Sequence, residues 1–229
     1  MPDRPYVLLS FAASLDGYID DASDRRLMVS NDADLDRVDE VRAGCDAILV
    51  GAATVRGDNP RLLVRSERRR AERVADGRPD SPLKVVLTGG GDLDPASAFF
   101  TAGTCGKVVY CAAGGVDRAE QRLGAVADVV DAGEPLDLER VLADLHARGV
   151  RRLMVEGGGR VHTWFLTAGL VDEIHAVVAP FFVGDPAAPR FVGPGGFPYG
   201  PDRRMRLAET RRIGDVVLLR YLLGPSAGA

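Results

Sequence analysis

The 229-residue chain predicts an α/β fold with a mostly parallel central sheet, helices on both faces and a C-terminal antiparallel hairpin. Three observations carry this. Short β-branched apolar runs recur along the chain, each bounded by Gly, Pro or Asp. Helical patterns separate the later ones, and the last two strand-like runs are joined by only two residues. Continuous rather than alternating apolarity suits strands buried on both faces of a parallel sheet. Strands alternating with helices imply right-handed crossovers.

In order, the strands are YVLLSFA (6–12), AILVG (47–51), KVVLT (84–88), KVVY (107–110), VADVV (126–130) and RLMVE (152–156). LDLERVLADLHARG spaces Leu138, Val141, Leu142 and Leu145 as one helical face, with Asp137 placed to cap its start and Gly149 just past its end. GGRVHTWFLTAGL does the same with Val161, Trp164, Phe165 and Ala168, and stops at Gly169. EIHAVVAP (173–180), RMRLAETRRI (204–213) and DVVLLRYLL (215–223) read as strands, the last two forming a hairpin across Gly214-Asp215. The run RSERRRAERVADGRPDSP (65–82) reads as a solvated helix or loop rather than a binding arm. Without a repeat or a clear linker, the chain reads as one domain.

With nearly half its residues hydrophobic, the chain can build a core without metals or disulfides. A formal charge of −4 points away from nucleic acid or an anionic membrane as the main partner. Cys45, Cys105 and Cys111 have no metal-ligand spacing and read as free thiols of a reducing compartment. The apolar run in MPDRPYVLLSFAASLDG is too short to span a bilayer and lacks signal-peptide flanks, so a cytoplasmic protein is expected.

The strongest chemical motif is VEGGGR (155–160): a strand ends at Glu156, three glycines follow, and an amphipathic helix starts at once. Glycines let the backbone approach a ligand, and a helix N-terminus presents free N–H groups, so a phosphate or pyrophosphate is the natural guest. A tight turn that merely packs is the alternative. The run is neither a GxGxxG fingerprint nor a P-loop.

GAATVRGDNPRLLVR (51–65) reads as a small-residue turn at a strand's carboxyl end, where open α/β sheets bind ligands. Thr54 both donates and accepts, and Asp58 accepts. Arg42, Arg61 and Arg65 offer forked guanidinium contacts to a phosphate, or pair with nearby carboxylates. Asp16 of SLDG (14–17) reads as a turn-former, and TGGG (88–91) as a loop usable by the adenosine end of a dinucleotide. His146, His162 and His175 show no zinc pattern, and no nucleophile motif is present, which disfavours metal sites and hydrolytic triads.

Taken together, SLDGYI, DAILVGAATVRGDNPRL and VEGGGRVHTWFLTAGLVDEIHAVVAPFFVG resemble the riboflavin-biosynthesis pyrimidine reductase family, from about residue 5 to 222. The resemblance implies a dihydrofolate-reductase-like fold, NADPH as cofactor, a homodimer, and a ribosylaminopyrimidine 5′-phosphate reduced to its ribityl form. It implies cofactor contacts at Thr54, Asp58, Gly157, Gly158, Gly159 and Arg160, and substrate contacts at Ser30, Arg42, Arg61, Arg65 and Glu156. Asp58 and Glu156 are the candidate proton donors, solvent being the alternative.

The apolar VVLLRYLL, read as the edge of its hairpin, separately argues for a homodimer. Two-domain bacterial members carry a deaminase first, whereas this chain begins with the reductase. Ser10 stands where many of them have lysine, as in stand-alone archaeal and fungal reductases. The choice between deaminated and non-deaminated pyrimidine stays open. So do a dihydrofolate or other pterin reductase and a non-catalytic nucleotide-binding protein.

Overall fold

Every apolar run read as a strand forms or overlaps one. The computed structural model describes residues 4–23 and 27–224. In chain order the elements are β1 (Tyr6–Ser14), α1 (Asp32–Ala43), β2 (Ala47–Gly51), α2 (Ala52–Asp58), α3 (Glu67–Ala75), β3 (Leu83–Thr88), α4 (Ala98–Thr101) and β4 (Lys107–Cys111). A 3-10 turn (Ala113–Gly115) leads to α5 (Val116–Leu123), β5 (Asp128–Asp131), α6 (Leu138–Ala147), β6 (Arg152–Gly157), α7 (Gly159–Thr167), β7 (Glu173–Ala179), β8 (Arg206–Ile213) and β9 (Val216–Leu222). They build one nine-stranded sheet in the order β5-β4-β3-β2-β6-β1-β7-β9-β8. The β1–β7, β2–β3, β3–β4 and β4–β5 pairs are parallel, and the β7–β9 and β8–β9 pairs antiparallel.

The chain divides into two compact units, Met1–Tyr6 with Val38–Met154, and Val7–Arg37 with Val155–Ala229. In the first, Ile48, Val50, Val86, Phe99, Val109, Leu123 and Met154 share one apolar core. In the second, Val177, Ala179, Val216 and Leu218 pack together. The α6 caps follow the sequence: Asp137 accepts from the Glu139 and Arg140 N–H groups, and Gly149 takes φ +89°.

Four expectations need correction. Residues 51–58 are not a turn: after Gly51 the chain enters α2 directly, because Ala52 and Val55, one helical turn apart, both bury against the core. The charged run 65–82 contains α3, whose Arg69 and Arg73 are buried rather than solvated. Arg73 donates to the Ala43, Cys45 and Pro79 carbonyls. The strand read from Val126 starts at Asp128, since Val126 and Ala127 turn inward onto the core.

Finally, the apolar strand is not the edge of the sheet. β9 lies between β7 and β8, and the edge strand β8 is polar, with Arg206, Thr210, Arg211 and Arg212 exposed. Charged edges of this kind oppose strand addition. The argument from an apolar edge to a homodimer therefore lapses.

Candidate functional site

In the first unit, β2 is buried along its whole length and ends at Gly51, the N-cap of α2. With Ala52 and Val55 turned to the core, Thr54 and Asp58 lie four residues apart on one outward face, Thr54 half-buried and Asp58 exposed. Asn59 ends the helix in a left-handed conformation (φ +44°), and Leu62 is left-handed as well (φ +48°). A buried leucine there is strained, and its packing in the core holds the strain. Arg61 sits between these two reversals and is exposed.

Asp39 of α1 anchors the backbone at the end of this loop. Its buried carboxylate accepts from the backbone N–H of Arg65 (2.5 Å), the N–H of Ser66 (3.1 Å) and the Arg69 guanidinium (3.0 Å). Burial works to raise its pKa, but those donors outweigh it and hold the carboxyl below the usual range. The Arg65 side chain, 56% exposed, extends outward with Nε 3.8 Å from Asp39. Arg42 reaches the Leu63 carbonyl at 3.5 Å. The three arginines read as a phosphate clamp thus belong to one short loop and the helix beneath it.

In the second unit, β6 ends in Glu156 and Gly157. Gly157 takes φ +124°, open only to glycine, and the Gly157–Gly158 peptide is cis. Gly158 caps α7 without a side-chain hydrogen bond. A Cβ on Gly159 would overlap the Arg190 carbonyl oxygen, so only glycine lets that segment close over the helix start. Arg160 is exposed, its guanidinium 5.6 Å from the centre of the Trp164 ring. Below the turn, His162 is buried. Its Nδ1 hydrogen-bonds the Phe191 carbonyl at 3.0 Å, which leaves Nε2 as a bare acceptor without a partner. Burial pushes its pKa down to about 4, against the opposing pull of that hydrogen bond and of Glu156.

Ser30 also belongs to this unit, and its hydroxyl donates to Asp34 at 2.6 Å. From Asp34 a chain of polar groups runs inward through Arg37, His175, Glu173 and Arg220. Sequence reasoning missed this chain. Its one local signal was Glu173 and His175, two apart on a strand and therefore on one face. Asp16 does what its turn sequence implied, accepting from Ser14 and from the backbone N–H groups of Val183 and Gly184. The TGGG run lies close against the 3-10 turn: a Cβ on Gly115 would overlap Gly89 and Gly90. All three cysteines are buried thiols. Among the described residues no cluster of metal-ligating side chains exists, and no helix is long and apolar enough to cross a membrane.

Residues 5–219 match the family model of the RibD C-terminal domain. A 2,5-diamino-6-ribosylamino-4(3H)-pyrimidinone 5′-phosphate reductase of Archaeoglobus fulgidus is 37% identical over 213 residues, covering 93% of this chain and 95% of the relative. Among solved structures, Acinetobacter baumannii RibD superposes with a TM-score of 0.80 at 23% identity, over 97% of this chain and 59% of that longer one. Dihydrofolate reductase from Enterococcus faecalis gives a TM-score of 0.51 at 14% identity, over 95% of each chain, and so shares the fold. A reductase family on a dihydrofolate-reductase-like fold points to a nicotinamide cofactor. The chain belongs to the RibD C-terminal domain family, whose riboflavin-biosynthesis reductases are oxidoreductases.

Proposed function

We propose that this protein is the NADPH-dependent reductase that converts a ribosylaminopyrimidine 5′-phosphate to its ribitylamino form. The observation that carries the reading is the Gly157–Gly159 turn: a strand end, a glycine-only conformation and an uncapped nine-residue helix start in immediate succession. That backbone suits the cofactor's phosphates, because the first N–H groups of α7 lack intrahelical acceptors. Thr54 and Asp58 supply a second polar face for the cofactor, and Arg160 a cation. The relative's printed substrate carries a 5′-phosphate, and exposed Arg61 and Arg65, with Arg42 behind them, are the forked donors for it.

Bound NADPH supplies the hydride for C1′ of the ring-opened sugar. The chain's own part is to hold that carbon in place through the remote phosphate, so that phosphate binding offsets the cost of orientation. Asp58 and Glu156 stand as the proton-holding groups. A homodimer and a cytoplasmic location remain part of the proposal.

The test is kinetic. Arg61→Ala and Arg65→Ala should each lower kcat/KM for the phosphorylated substrate about ten- to a hundredfold, the loss of one charge-assisted contact, and leave NADPH affinity nearly unchanged. Asp58→Ala should weaken NADPH first. Tighter binding of NADH than of NADPH would overturn the cofactor assignment. Unchanged kcat/KM in both arginine variants would leave the clamp without a phosphate and favour a pterin substrate.

A further inference from the structure

The polar chain beginning at Ser30 has a fixed hydrogen-bond direction at every link. Arg37 can only donate. It gives one hydrogen bond to Asp34 Oδ1 (2.6 Å) and one to His175 Nδ1 (3.3 Å). His175 Nδ1 is therefore an acceptor, and the ring proton sits on Nε2, which donates to Glu173 Oε1 at 2.8 Å. Glu173 also accepts from Arg220. Toward the surface, the second oxygen of Asp34 faces Ser30 Oγ at 2.6 Å, so the serine hydroxyl donates its hydrogen bond to it. Asp34, Arg37, Glu173 and His175 are all buried, and Arg220 at the end of the chain is partly exposed.

Ser30 is also fixed in place. Asn31 beside it caps α1, accepting from the Asp34 N–H at 3.0 Å, and donates to the Ile213 carbonyl and to Asp215 in the β8–β9 hairpin.

We infer that Ser30 presents a hydrogen-bond acceptor, and that it recognises a hydroxyl or amino hydrogen of the substrate rather than a phosphate oxygen. The inference rests on the proposed placement of Ser30 against substrate. A phosphate oxygen at this point would need the serine proton that Asp34 already holds. Taking it would leave a buried carboxylate without that donor and facing a second anion. A donor-bearing part of the ribose or pyrimidine then belongs with Ser30. Asp34, Arg37 and His175 are positioning residues: they set the polarity of Ser30 without touching the ligand.

Asp34→Asn tests this directly. The Asn oxygen must still accept from Arg37, which turns its NH2 toward Ser30 and frees the serine proton to point outward, inverting its polarity. Parent, Asp34→Asn and Ser30→Ala are assayed with the phosphorylated substrate and with analogues each lacking one hydroxyl or amino hydrogen. In the parent, one deletion should lower kcat/KM about tenfold, the worth of one good hydrogen bond. Ser30→Ala should abolish the penalty for that analogue alone, and Asp34→Asn should lower kcat/KM for the full substrate and abolish the penalty as well. Should Asp34→Asn not fold, Ser30→Ala carries the test. An Asp34→Asn enzyme with the parent's analogue profile overturns the inference.

Nitrogen-15 NMR of His175 separates the two levels, because it reads the chain without any substrate. A bare Nδ1 with protonated Nε2 is expected, and the opposite tautomer refutes the polarity argument itself. The expected tautomer with a Ser30→Ala enzyme unchanged on every analogue refutes instead the placement of Ser30 at the substrate.

Discussion

His162 offers the most quantitative test of the second unit. The folded chain holds its ring buried, hydrogen-bonded through Nδ1 and with Nε2 unpartnered, and burial lowers its pKa from 6.5 to about 4. The folded state therefore binds this proton more weakly than the unfolded chain does. Its contribution to stability is complete above pH 6.5 and is lost as the pH falls through 6.5 toward 4. The full displacement corresponds to about 3 kcal/mol, of which about 2 kcal/mol is gone by pH 5.

The perturbation is His162→Asn, whose side-chain NH2 can replace Nδ1 as donor to the Phe191 carbonyl but does not titrate. Urea unfolding is followed by the fluorescence of Trp164, the chain's single tryptophan, which lies on α7 two residues from His162. At pH 8 the variant should be less stable by about 1–3 kcal/mol, because the smaller side chain leaves a void. Between pH 8 and 5 that deficit should shrink by about 2 kcal/mol, since only the parent must protonate a buried ring on unfolding. Carboxylates common to both proteins cancel in the difference. Parallel stability curves over this range would refute the buried neutral imidazole.

Two further substitutions probe the packing of each unit. Gly159→Ala should destabilise by about 1–3 kcal/mol and weaken NADPH, because its Cβ must push the overlapping Arg190 backbone off the start of α7; chemical denaturation and cofactor titration read the two effects, and an unchanged variant would contradict the close approach. Lys84 is fully buried, donates to the Phe99 and Ala102 carbonyls, and has its pKa pushed by burial down to about 8. A lowered lysine pKa makes the parent gain stability as the pH rises from about 8 toward 10.5, so Lys84→Met should fall progressively behind the parent over that range; a constant gap between their denaturation midpoints would sink this reading.

How much of this was legible depends on where the charges lie. The strands could be read because burial on both faces demands continuous apolar sequence, and α6 because Leu138, Val141, Leu142 and Leu145 all point inward. Helix α1 could not be found that way. Its buried positions include Asp34, Arg37 and Asp39, so the inward face carries charge where a periodicity argument looks for leucine. The same holds for α3, where Arg69 and Arg73, one turn apart, are buried. α2 was hidden differently: seven residues with Gly57 next to the last look like a turn until Ala52 and Val55 are seen to share a buried face.

The buried charges could not have been told from surface charges in one sequence, because burial of a charge is decided by a partner. Asp39 meets Arg69 30 residues away, and Arg37 meets His175 138 residues away. Neither separation leaves a local pattern. Yet these unread charges are what fix the read ones. Asp39 holds the backbone of Arg65 while its guanidinium stays exposed, and Asp34 holds the proton of Ser30. A sequence reading sees Arg65 in the charged loop that follows β2, and Ser30 only through the family resemblance. It cannot see which way they point or which proton they carry, since distant buried partners set both. The useful division of the arginines is therefore by partner rather than by position. Arg37, Arg69 and Arg73 are buried on carboxylates, carbonyls or an imidazole and shape the site, whereas Arg61, Arg65 and Arg160 keep exposed side chains and can meet a ligand.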